Sequence, residues 1–426
     1  MAGQNSPLVD FKDIWGEQYM NTKHSMLILA LATMLSLSAC VMSPPPAEPP
    51  TSTQAPAASQ IPTAGPPGAA SPNQAAWDGV LSQWIAANSQ FCDAPGGVLL
   101  VDSPKGRYLK AAGAANLDDR RPVKADDRFE IGSNTKAFTV ILALQLQEAG
   151  VLSMDDPLSK WLPKLAARIP NGDQVTLRQL AGNISGIWDF ADPLMQPVID
   201  ANDRAGLVKS YTPQELMELV IAKGKPDFEP GKGWRYSSTN FILLGMVVEA
   251  ATGKSLAELY QTRIFDPLGM KNSSYLEKSP EPGAIVAGYY KTPNGKLTDM
   301  TEWNATQGGA AGAIVSTAED MARFIAGLFG GKLFKNDKTL AEMLAFRELT
   351  MKEGGGVFAG YGLGLISFGV PGLPGLHAYG HAGQTPGFQT IWFRLPEADT
   401  NVILLTNSGT CKVMALPLTL AADVLK

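Results

Sequence analysis

FEIGSNTKAFTVILALQLQEAG, the segment from Phe129 to Gly150, determines the architecture of this chain. Its apolar residues leave no continuous polar face, so we predict a long helix that begins near Ser133, stops at Gly150 and is buried nearly all round. A helix of this kind needs protein on every side. Ser133 and Lys136 are three positions apart and therefore share one face of the first turn.

The segments before and after this helix predict strands near both ends of the chain. Residues 96–115, GGVLLVDSPKGRYLKAAGAA, predict a hairpin that turns at 103–106. In the last quarter of the chain, strands are predicted at YGLGLISFG (361–369), FQTIWFR (388–394) and NVILLTN (401–407). We therefore expect one sheet to be assembled from both ends of the chain.

Helical patterns account for most of the remaining residues. Helical spacing is present at Trp77–Ala87 and at Ala415–Leu425, which we predict to be the last helix. In the middle of the chain, Thr212 is expected to cap a helix that has Pro213 at its first position.

The order of these elements, strands then helices then strands, predicts a mixed α/β (α+β) fold over residues 76–426. We expect an α/β lobe from about 76–150 and 305–426, into which a helical lobe of about 151–304 is inserted.

The residues before the domain are predicted to direct export. Lys23 and His24 precede the apolar run MLILALATMLSL (26–37), which is typical of a signal peptide and is shorter than a membrane span of roughly 20 residues. The ending Leu-Ser-Ala-Cys at 37–40 resembles the lipobox of bacterial lipoproteins. That resemblance implies lipidation of Cys40 and a periplasmic, membrane-anchored protein, with a soluble periplasmic protein as the alternative.

Two further features of the N-terminal region concern its boundaries. Residues 1–19 precede a more natural start at Met20 and are interpreted as an over-extended gene start. Residues 41–75 hold ten prolines and one charge, Glu48, so they are predicted to form a Pro-rich linker. At about 3.1 Å per residue such a spacer reaches up to roughly 100 Å from a lipid anchor.

Charge and cysteine content limit the partners. The net charge is −5 and no run of Lys and Arg is present, so nucleic acid is not expected as a partner. Apart from Cys40, the chain has Cys92 and Cys411, which can pair in an oxidising compartment and lie beside segments expected to be neighbours. No His, Cys or carboxylate cluster has metal-binding spacing, and no metal or cofactor is predicted.

The Ser-x-x-Lys pattern supplies the two groups that acyl transfer needs first. Ser133 is the only serine with a lysine three positions later. A lysine in a dry site loses its proton near neutral pH, so Lys136 can take the proton of the Ser133 hydroxyl. The alternative is that Ser133 only caps the helix and that Lys136 is solvated.

Two other segments carry candidate chemistry. Tyr236 follows the turn EPGKGW, and its hydroxyl can carry a proton to a leaving group; alternatively it is a core tyrosine. HAGQ, residues 381–384, is expected at a glycine-flanked strand edge where a substrate can lie along the strand and the Gln384 amide can donate. The alternative there is a surface turn with an incidental histidine.

Together these elements resemble the serine β-lactamase and penicillin-binding protein superfamily. The similar group joins class C β-lactamases, D-alanyl-D-alanine carboxypeptidases, D-aminopeptidases and family VIII carboxylesterases. The resemblance covers about 77–407. Besides SNTK and HAGQ it rests on the blocks VTLRQLAGNISGI, EPGKGWRYSSTNFILLG, IFDPLGM and GGAAGAIVSTAEDMARF.

This resemblance implies an antiparallel sheet flanked by N- and C-terminal helices, with an inserted helical lobe. It also implies that Ser133 is acylated, that Lys136 and Tyr236 share acid and base duty, and that the backbone amides of Ser133 and Gln384 form the oxyanion hole. The acylation base is disputed in this superfamily, so the proton is assigned to the pair.

By the same resemblance, Ser238, His381 and Gly383 bind substrate. Ser238 is a departure, since relatives usually have asparagine there, and the nearby Asn240 occupies another family position. Gly-Asn-Ile at 182–184, where many relatives have His-Thr before Ser-Gly, has no interpretation from the sequence.

The resemblance and the export signal favour a D-alanyl-D-alanine carboxypeptidase acting on peptidoglycan peptides. The alternatives are a family VIII-type carboxylesterase acting on small esters or amides, with or without β-lactamase activity, and a non-catalytic cell-wall binding protein. A Ser-His-Asp hydrolase is disfavoured, because the predicted mature chain has only His377 and His381 and lacks Gly-x-Ser-x-Gly. A metallohydrolase is disfavoured, because these two histidines are flanked by Gly, Ala and Pro rather than helix formers and no carboxylate or cysteine cluster accompanies them. No oligomeric state is predicted.

Overall fold

The computed structural model describes residues 74–85, 92–292, 295–354, 358–369 and 376–415. The predicted signal peptide, Cys40, the linker up to residue 73 and the predicted last helix beyond Ala415 lie outside the described residues. Within the described ranges, no helix combines the length and the apolar character that crossing a membrane requires.

Thirteen strands are present in the described residues. They are β1 (Gly96–Ser103), β2 (Gly106–Gly113), β3 (Phe129–Glu130), β4 (Ser274–Tyr275), β5 (Tyr289–Lys291), β6 (Leu297–Asp299), β7 (Ile314–Ser316), β8 (Arg347–Glu348), β9 (Phe358–Tyr361), β10 (Ile366–Gly369), β11 (His377–Thr385), β12 (Phe388–Leu395) and β13 (Thr400–Thr406).

The helices are distributed mainly between β3 and β8. They are α1 (Gln74–Ile85), α2 (Thr135–Glu148), α3 (Leu158–Trp161), α4 (Pro163–Ala166), α5 (Leu177–Ala181), α6 (Ala191–Asp200), α7 (Arg204–Val208), α8 (Pro213–Lys223), α9 (Ser238–Thr252), α10 (Leu256–Tyr260), α11 (Asp266–Leu268), α12 (Gly309–Gly312), α13 (Ala318–Phe329), α14 (Asp337–Met343) and α15 (Met351–Gly354).

The main sheet has eight antiparallel strands in the order β2-β1-β13-β12-β11-β10-β9-β8. The first two strands come from the N-terminal side of the domain and the other six from its C-terminal side, so the sheet is assembled from both ends of the chain. A second sheet has the order β3-β7-β4, and β5 pairs with β6. The predicted mixed α/β fold with an antiparallel sheet and helices inserted between its strands is confirmed.

Helix α2 is buried on almost every side, as its sequence predicts. Phe138 stacks on Phe324 of α13 with ring centroids 3.9 Å apart, and Phe324 in turn meets Trp392 of β12 edge to face at 5.6 Å. Burying an aromatic side chain of this size contributes about 1.5–3 kcal/mol. These contacts hold the start of α2 against the main sheet.

The predicted cap of α8 is present. The Thr212 hydroxyl accepts a hydrogen bond from the backbone N–H of Glu215, and the Glu215 carboxylate accepts one from the backbone N–H of Thr212. Pro213 lies at the first helical position, where its missing N–H costs nothing.

One strand prediction was wrong in extent. The segment 361–369 is not a single strand, because β9 ends at Tyr361 and β10 begins at Ile366. Between them Gly364 has a φ of +69°, and the N–H of Gly362 donates to Leu365 O across 2.9 Å. The leucine and glycine alternation in YGLGLIS therefore contains a tight turn.

The two ends of the described domain are tied together beside the main sheet. The Asn407 side chain accepts the N–H of Gly96 at 2.7 Å and donates to Ala287 O at 3.0 Å. Cys92 and Cys411, which are 319 positions apart, form a disulfide.

Candidate active site

The turn that carries Ser133 is fixed by glycine and by buried hydrogen bonds. Residues Gly132–Asn134 form a 3-10 turn that leads into α2, and Gly132 has a φ of +51°. The Asn134 amide donates to Ile131 O at 2.7 Å and to the Thr390 hydroxyl at 2.8 Å. Ser133 itself is partly exposed, so a substrate can reach its hydroxyl.

The Lys136 side chain is buried next to Ser133 and is shielded from solvent. Its side chain is fully buried, and its Nζ is 2.8 Å from the Ser133 Oγ and 3.0 Å from Ala311 O. Burial lowers the pKa of this amine to about 7, while the carboxylates of Asp189 and Asp192 act in the opposite direction. A substantial fraction of the amine is therefore uncharged at neutral pH and can accept a proton.

Tyr236 lies next to the same two residues, Ser133 and Lys136. The Lys136 Nζ is 4.9 Å from the centroid of the Tyr236 ring. Burial raises the pKa of the Tyr236 hydroxyl, and a hydrogen bond between its side chain and Ser133 partly opposes that rise. The structure thus brings Ser133, Lys136 and Tyr236 together, with the tyrosine protonated at neutral pH.

Asn183, the residue that the sequence left uninterpreted, supports the Tyr236 segment from both sides. Its carbonyl accepts the N–H of Arg235 at 3.1 Å, and its side-chain oxygen accepts the N–H of Ser237 at 3.2 Å. Asn183 has a φ of +58°, a backbone conformation that asparagine tolerates better than most residues. These bonds fix the backbone immediately before and after Tyr236.

Asn240 has a structural place in the same network. It is 1% exposed, donates to the Asn183 side chain at 2.9 Å and accepts from the Ser185 hydroxyl at 2.6 Å. Its amide is therefore committed to the protein interior, which agrees with the prediction that Asn240 does not replace the missing asparagine at 238.

Ser238 is the first residue of α9 and is partly exposed. The Asp189 carboxylate accepts the backbone N–H of Ser238 at 2.9 Å and that of Thr239 at 3.3 Å, so it caps this helix. Burial raises the pKa of Asp189, whereas the nearby Lys136 lowers it. Asp189 was not predicted from the sequence, because the helix start that it caps, at Ser238 and Thr239, is 49 and 50 positions away.

The segment 381–384 forms the strand edge that the sequence predicted. The neighbouring strand β10 pairs with β11 only between His377 and Gly380. From His381 to Thr385 the described strands provide one partner, β12. The turn before α2 approaches the opposite side, since a Cβ on Gly132 would lie 2.7 Å from the Gln384 nitrogen.

Gly383 and Gln384 therefore lie next to the Ser133 turn. A Cβ on Gly383 would come within 1.9 Å of Ile131 O, so only glycine allows this approach. The Gln384 side chain donates to Gly409 O at 3.0 Å, which anchors the residue while its backbone faces the turn.

His381 is buried close to the other candidate residues, with its ring centroid 6.1 Å from that of Tyr236. It is 1% exposed, its Nδ1 is 2.6 Å from Ala382 O, and its Nε2 is 3.4 Å from the Tyr361 hydroxyl. Burial, with a further contribution from Lys136, lowers the pKa of the imidazole to about 3. His381 is therefore a neutral, buried side chain at physiological pH, and its role in binding substrate stays a prediction.

A metal site is not apparent in the described residues, where no three His, Cys, Asp or Glu side chains are grouped closely enough to hold an ion.

Comparison with known proteins identifies the family. The sequence model described as Beta-lactamase matches residues 81–425. The chain belongs to the beta-lactamase family. As a member it is a serine hydrolase, since the relatives it matches include esterases, D-aminopeptidases, amidases and penicillin-binding proteins.

The relatives that this chain matches in sequence are named for different activities. A penicillin-binding protein of Bacillus subtilis (strain 168) is 26% identical over 73% of this chain and 68% of its own length. Esterase EstB of Burkholderia gladioli is 31% identical over 42% of this chain and 46% of its own. A D-aminopeptidase of Cereibacter sphaeroides is 25% identical over 74% of this chain and 57% of its own length. The chain thus spans between about half and two thirds of the length of these relatives.

Solved structures of this family superpose on most of the domain. A D-stereospecific amidohydrolase from Streptomyces sp. matches with a TM-score of 0.71 at 29% identity, covering 81% of this chain and 98% of that one. A D-amino acid amidase from Ochrobactrum anthropi SV3 matches with a TM-score of 0.70 at 28% identity, covering 82% and 96%.

Proposed function

We propose that this beta-lactamase-family hydrolase is exported and works through an acyl-enzyme on Ser133, with Lys136 and Tyr236 sharing proton transfer. The observation that carries the proposal is the 2.8 Å separation between the Lys136 amine and the Ser133 hydroxyl, combined with burial that leaves much of the amine uncharged. A non-catalytic cell-wall binding protein would have no need for this costly arrangement.

In the proposed reaction the neutral Lys136 amine takes the Ser133 proton as the oxygen attacks the substrate carbonyl. The negative charge that develops on the carbonyl oxygen is stabilised by the backbone N–H groups of Ser133 and Gln384. The proton then passes to the leaving group through the Tyr236 hydroxyl. Water attacks the acyl-enzyme in a second half-reaction that uses the same groups in reverse.

The charges near the site bear on the choice of substrate. His381 is neutral, and the carboxylates that act on Lys136 and Tyr236 are Asp189 and Asp192. Asp189 and Asp192 would repel a substrate carboxylate beside the scissile bond and so offset the attraction of the protonated fraction of Lys136. Ser238 offers a short hydroxyl in place of an asparagine amide and makes fewer contacts with a peptide.

These features support hydrolysis of esters or amides that lack such a carboxylate, including D-amino acid amides of the kind named for the structural relatives. A D-alanyl-D-alanine carboxypeptidase acting on peptidoglycan peptides is the second candidate, which the predicted export signal and spacer favour. We expect the Cys92–Cys411 disulfide to form in the periplasm, and its presence supports export.

A substrate panel on one preparation separates the two candidates. We expect a p-nitrophenyl ester and a D-amino acid amide to be hydrolysed faster than a D-alanyl-D-alanine peptide, with nitrocefin as a β-lactam arm. The Ser238→Asn variant is run beside the wild type and is expected to shift the ratio towards the peptide. A clear preference of the wild type for the peptide would make the carboxypeptidase the better candidate.

Export and lipidation are tested separately from catalysis. Growth with a labelled fatty acid is expected to label the wild-type chain in the membrane fraction. The Cys40→Ser variant is expected to lose the label. A wild-type chain that remains unlabelled and appears in the soluble periplasmic fraction would support export without an anchor.

A further inference from the structure

A buried acid close to Ser133 has no part in the proposed reaction. Glu130 lies on β3, three positions before Ser133, and is 2% exposed. Neither of its carboxyl oxygens has a hydrogen-bond partner among the residues that the structure describes. Burial raises the pKa of Glu130 from 4.5 to about 8, so the group is protonated at neutral pH and has an O–H to donate.

The one polar group that acts on the pKa of Glu130 is the side-chain hydroxyl of Thr385. This hydroxyl opposes the rise in the pKa of Glu130, which places it beside the carboxyl, although the two do not reach the geometry of a full hydrogen bond. Thr385 is 5% exposed, and its hydroxyl has no hydrogen-bond partner within the described part of the chain. Burial and Thr385 are the two influences on the pKa of Glu130, and no charged side chain contributes.

The positions of these two residues link the segments that carry the proposed oxyanion donors. Thr385 directly follows Gln384 and pairs with Phe388 at the end of the β11–β12 hairpin. Phe129 meets Phe388 edge to face with centroids 6.2 Å apart, so β3 packs on this hairpin. A contact between Glu130 and Thr385 would join the segment before Ser133 to the segment after Gln384.

Burying this carboxyl is unfavourable for folding. The pKa of Glu130 is about 8 in the folded chain and 4.5 in the unfolded chain. Between these pH values the folded state keeps a proton that the unfolded state releases. The free energy of unfolding therefore falls as the pH rises from 4.5 towards 8. An apolar side chain would avoid this cost. Perturbed acids of this kind are concentrated at functional sites.

We propose that Glu130 is a positioning residue for the oxyanion hole. As the neutral acid it donates to the Thr385 hydroxyl and holds the Gln384 strand at a fixed distance from the Ser133 turn. Ionisation of Glu130 removes its O–H donor and puts a negative charge into a buried site. The Gln384 strand is then no longer held at its distance from the Ser133 turn. The inference rests on the proposed acylation of Ser133.

The test uses the purified protein, a fluorophosphonate label and hydrolysis of a p-nitrophenyl ester between pH 6 and 10. Glu130→Met and Thr385→Val are each expected to lower kcat/KM by about tenfold or more at pH 7, because they misplace an oxyanion donor. The double variant is expected to be no worse than either single one, since both remove the same contact. Thr385→Ser keeps the hydroxyl and is expected to retain activity.

Glu130→Gln is the decisive variant, because an amide can donate to Thr385 but cannot ionise. It is expected to keep the wild-type kcat/KM at pH 7. The kcat/KM of the wild type is expected to decline above about pH 8, and that of Glu130→Gln is not. If Glu130→Met does not fold, Glu130→Gln and Thr385→Val still test the proposal.

Outcomes that overturn the inference are distinct from failure of the proposed function. A wild type that is not labelled at Ser133 contradicts the proposed function. A wild type that is labelled but shows no decline above pH 8, or variants that match it at every pH, contradict the role of Glu130 alone. Persistence of the alkaline decline in Glu130→Gln has the same meaning.

Discussion

The Lys136 Nζ lies 2.8 Å from the Ser133 Oγ, yet Ser133 is partly exposed whereas Lys136 is fully buried. The proposed nucleophile is therefore accessible to substrate, and the proposed base is protected from water. Burial of Lys136 lowers the pKa of its amine. The partial exposure of Ser133 leaves its hydroxyl open to a substrate.

Replacement of Lys136 is expected to slow the acylation of Ser133, and the remaining rate should still be measurable. Lys136→Ala should lower the rate of labelling by a fluorophosphonate by about 10²- to 10⁴-fold, because general base catalysis contributes that much. Lys160, an exposed residue paired with Asp156, provides the control, since Lys160→Ala should label at the wild-type rate. A Lys136→Ala variant that labels normally would show that another group takes the proton.

The pH dependence of acylation follows from the pKa of Lys136. Its amine is charged below pH about 7 and neutral above it, so the rate of acylation should rise as the pH increases from 5 to 8 with a midpoint near 7. Stopped-flow measurement of ester acylation checks this. Lys136→Arg stays protonated throughout and should show no such rise. A midpoint near 10 in the wild type would indicate a solvated lysine.

Loss of the Asn183 side chain is expected to disturb Tyr236 at a distance. Asn183→Gly keeps the positive φ but removes the acceptor for Ser237, and it should lower kcat by about 10- to 100-fold, as small misplacements of catalytic groups do. Asn171 also has a positive φ, of 59°, and Asn171→Gly is the matched control that should leave kcat unchanged. Equal kcat values for both variants would contradict the positioning of Tyr236 by Asn183.

The Cys92–Cys411 disulfide is expected to affect stability rather than chemistry. It closes a loop of more than 300 residues, and its removal in Cys92→Ser with Cys411→Ser should lower the free energy of unfolding by about 2–5 kcal/mol. Denaturant titration measures the change. The folded variant should label at the wild-type rate, and an unchanged unfolding midpoint would argue against the bond.

Features that arise from local sequence could be predicted, and the structure has them where expected. The helix after Ser133, the hairpin at 96–113 and the cap at Thr212 depend on periodicity and on residues a few positions apart. The strands β4, β5 and β6 are too short, at two or three residues each, for a periodic pattern to show. The turn at Gly364 was not predicted, because the alternating leucines and glycines of 361–369 were interpreted as one strand.

The supporting residues of the site depend on contacts between distant segments, so the sequence alone did not indicate them. Asn183 meets Ser237 across 54 positions, and only the folded chain shows that it holds both sides of Tyr236. The neutral state of His381 follows from its burial, which a glycine-flanked motif does not indicate. The same applies to Glu130, which precedes the predicted nucleophile but has no local partner.

Peptide mapping by mass spectrometry after treatment with a fluorophosphonate tests the proposed mechanism most directly. The adduct should lie on the peptide that contains Ser133 and should be absent from the Ser133→Ala variant. An adduct on any other side chain, or equal labelling of the wild type and Ser133→Ala, would show that this hydroxyl is not the nucleophile.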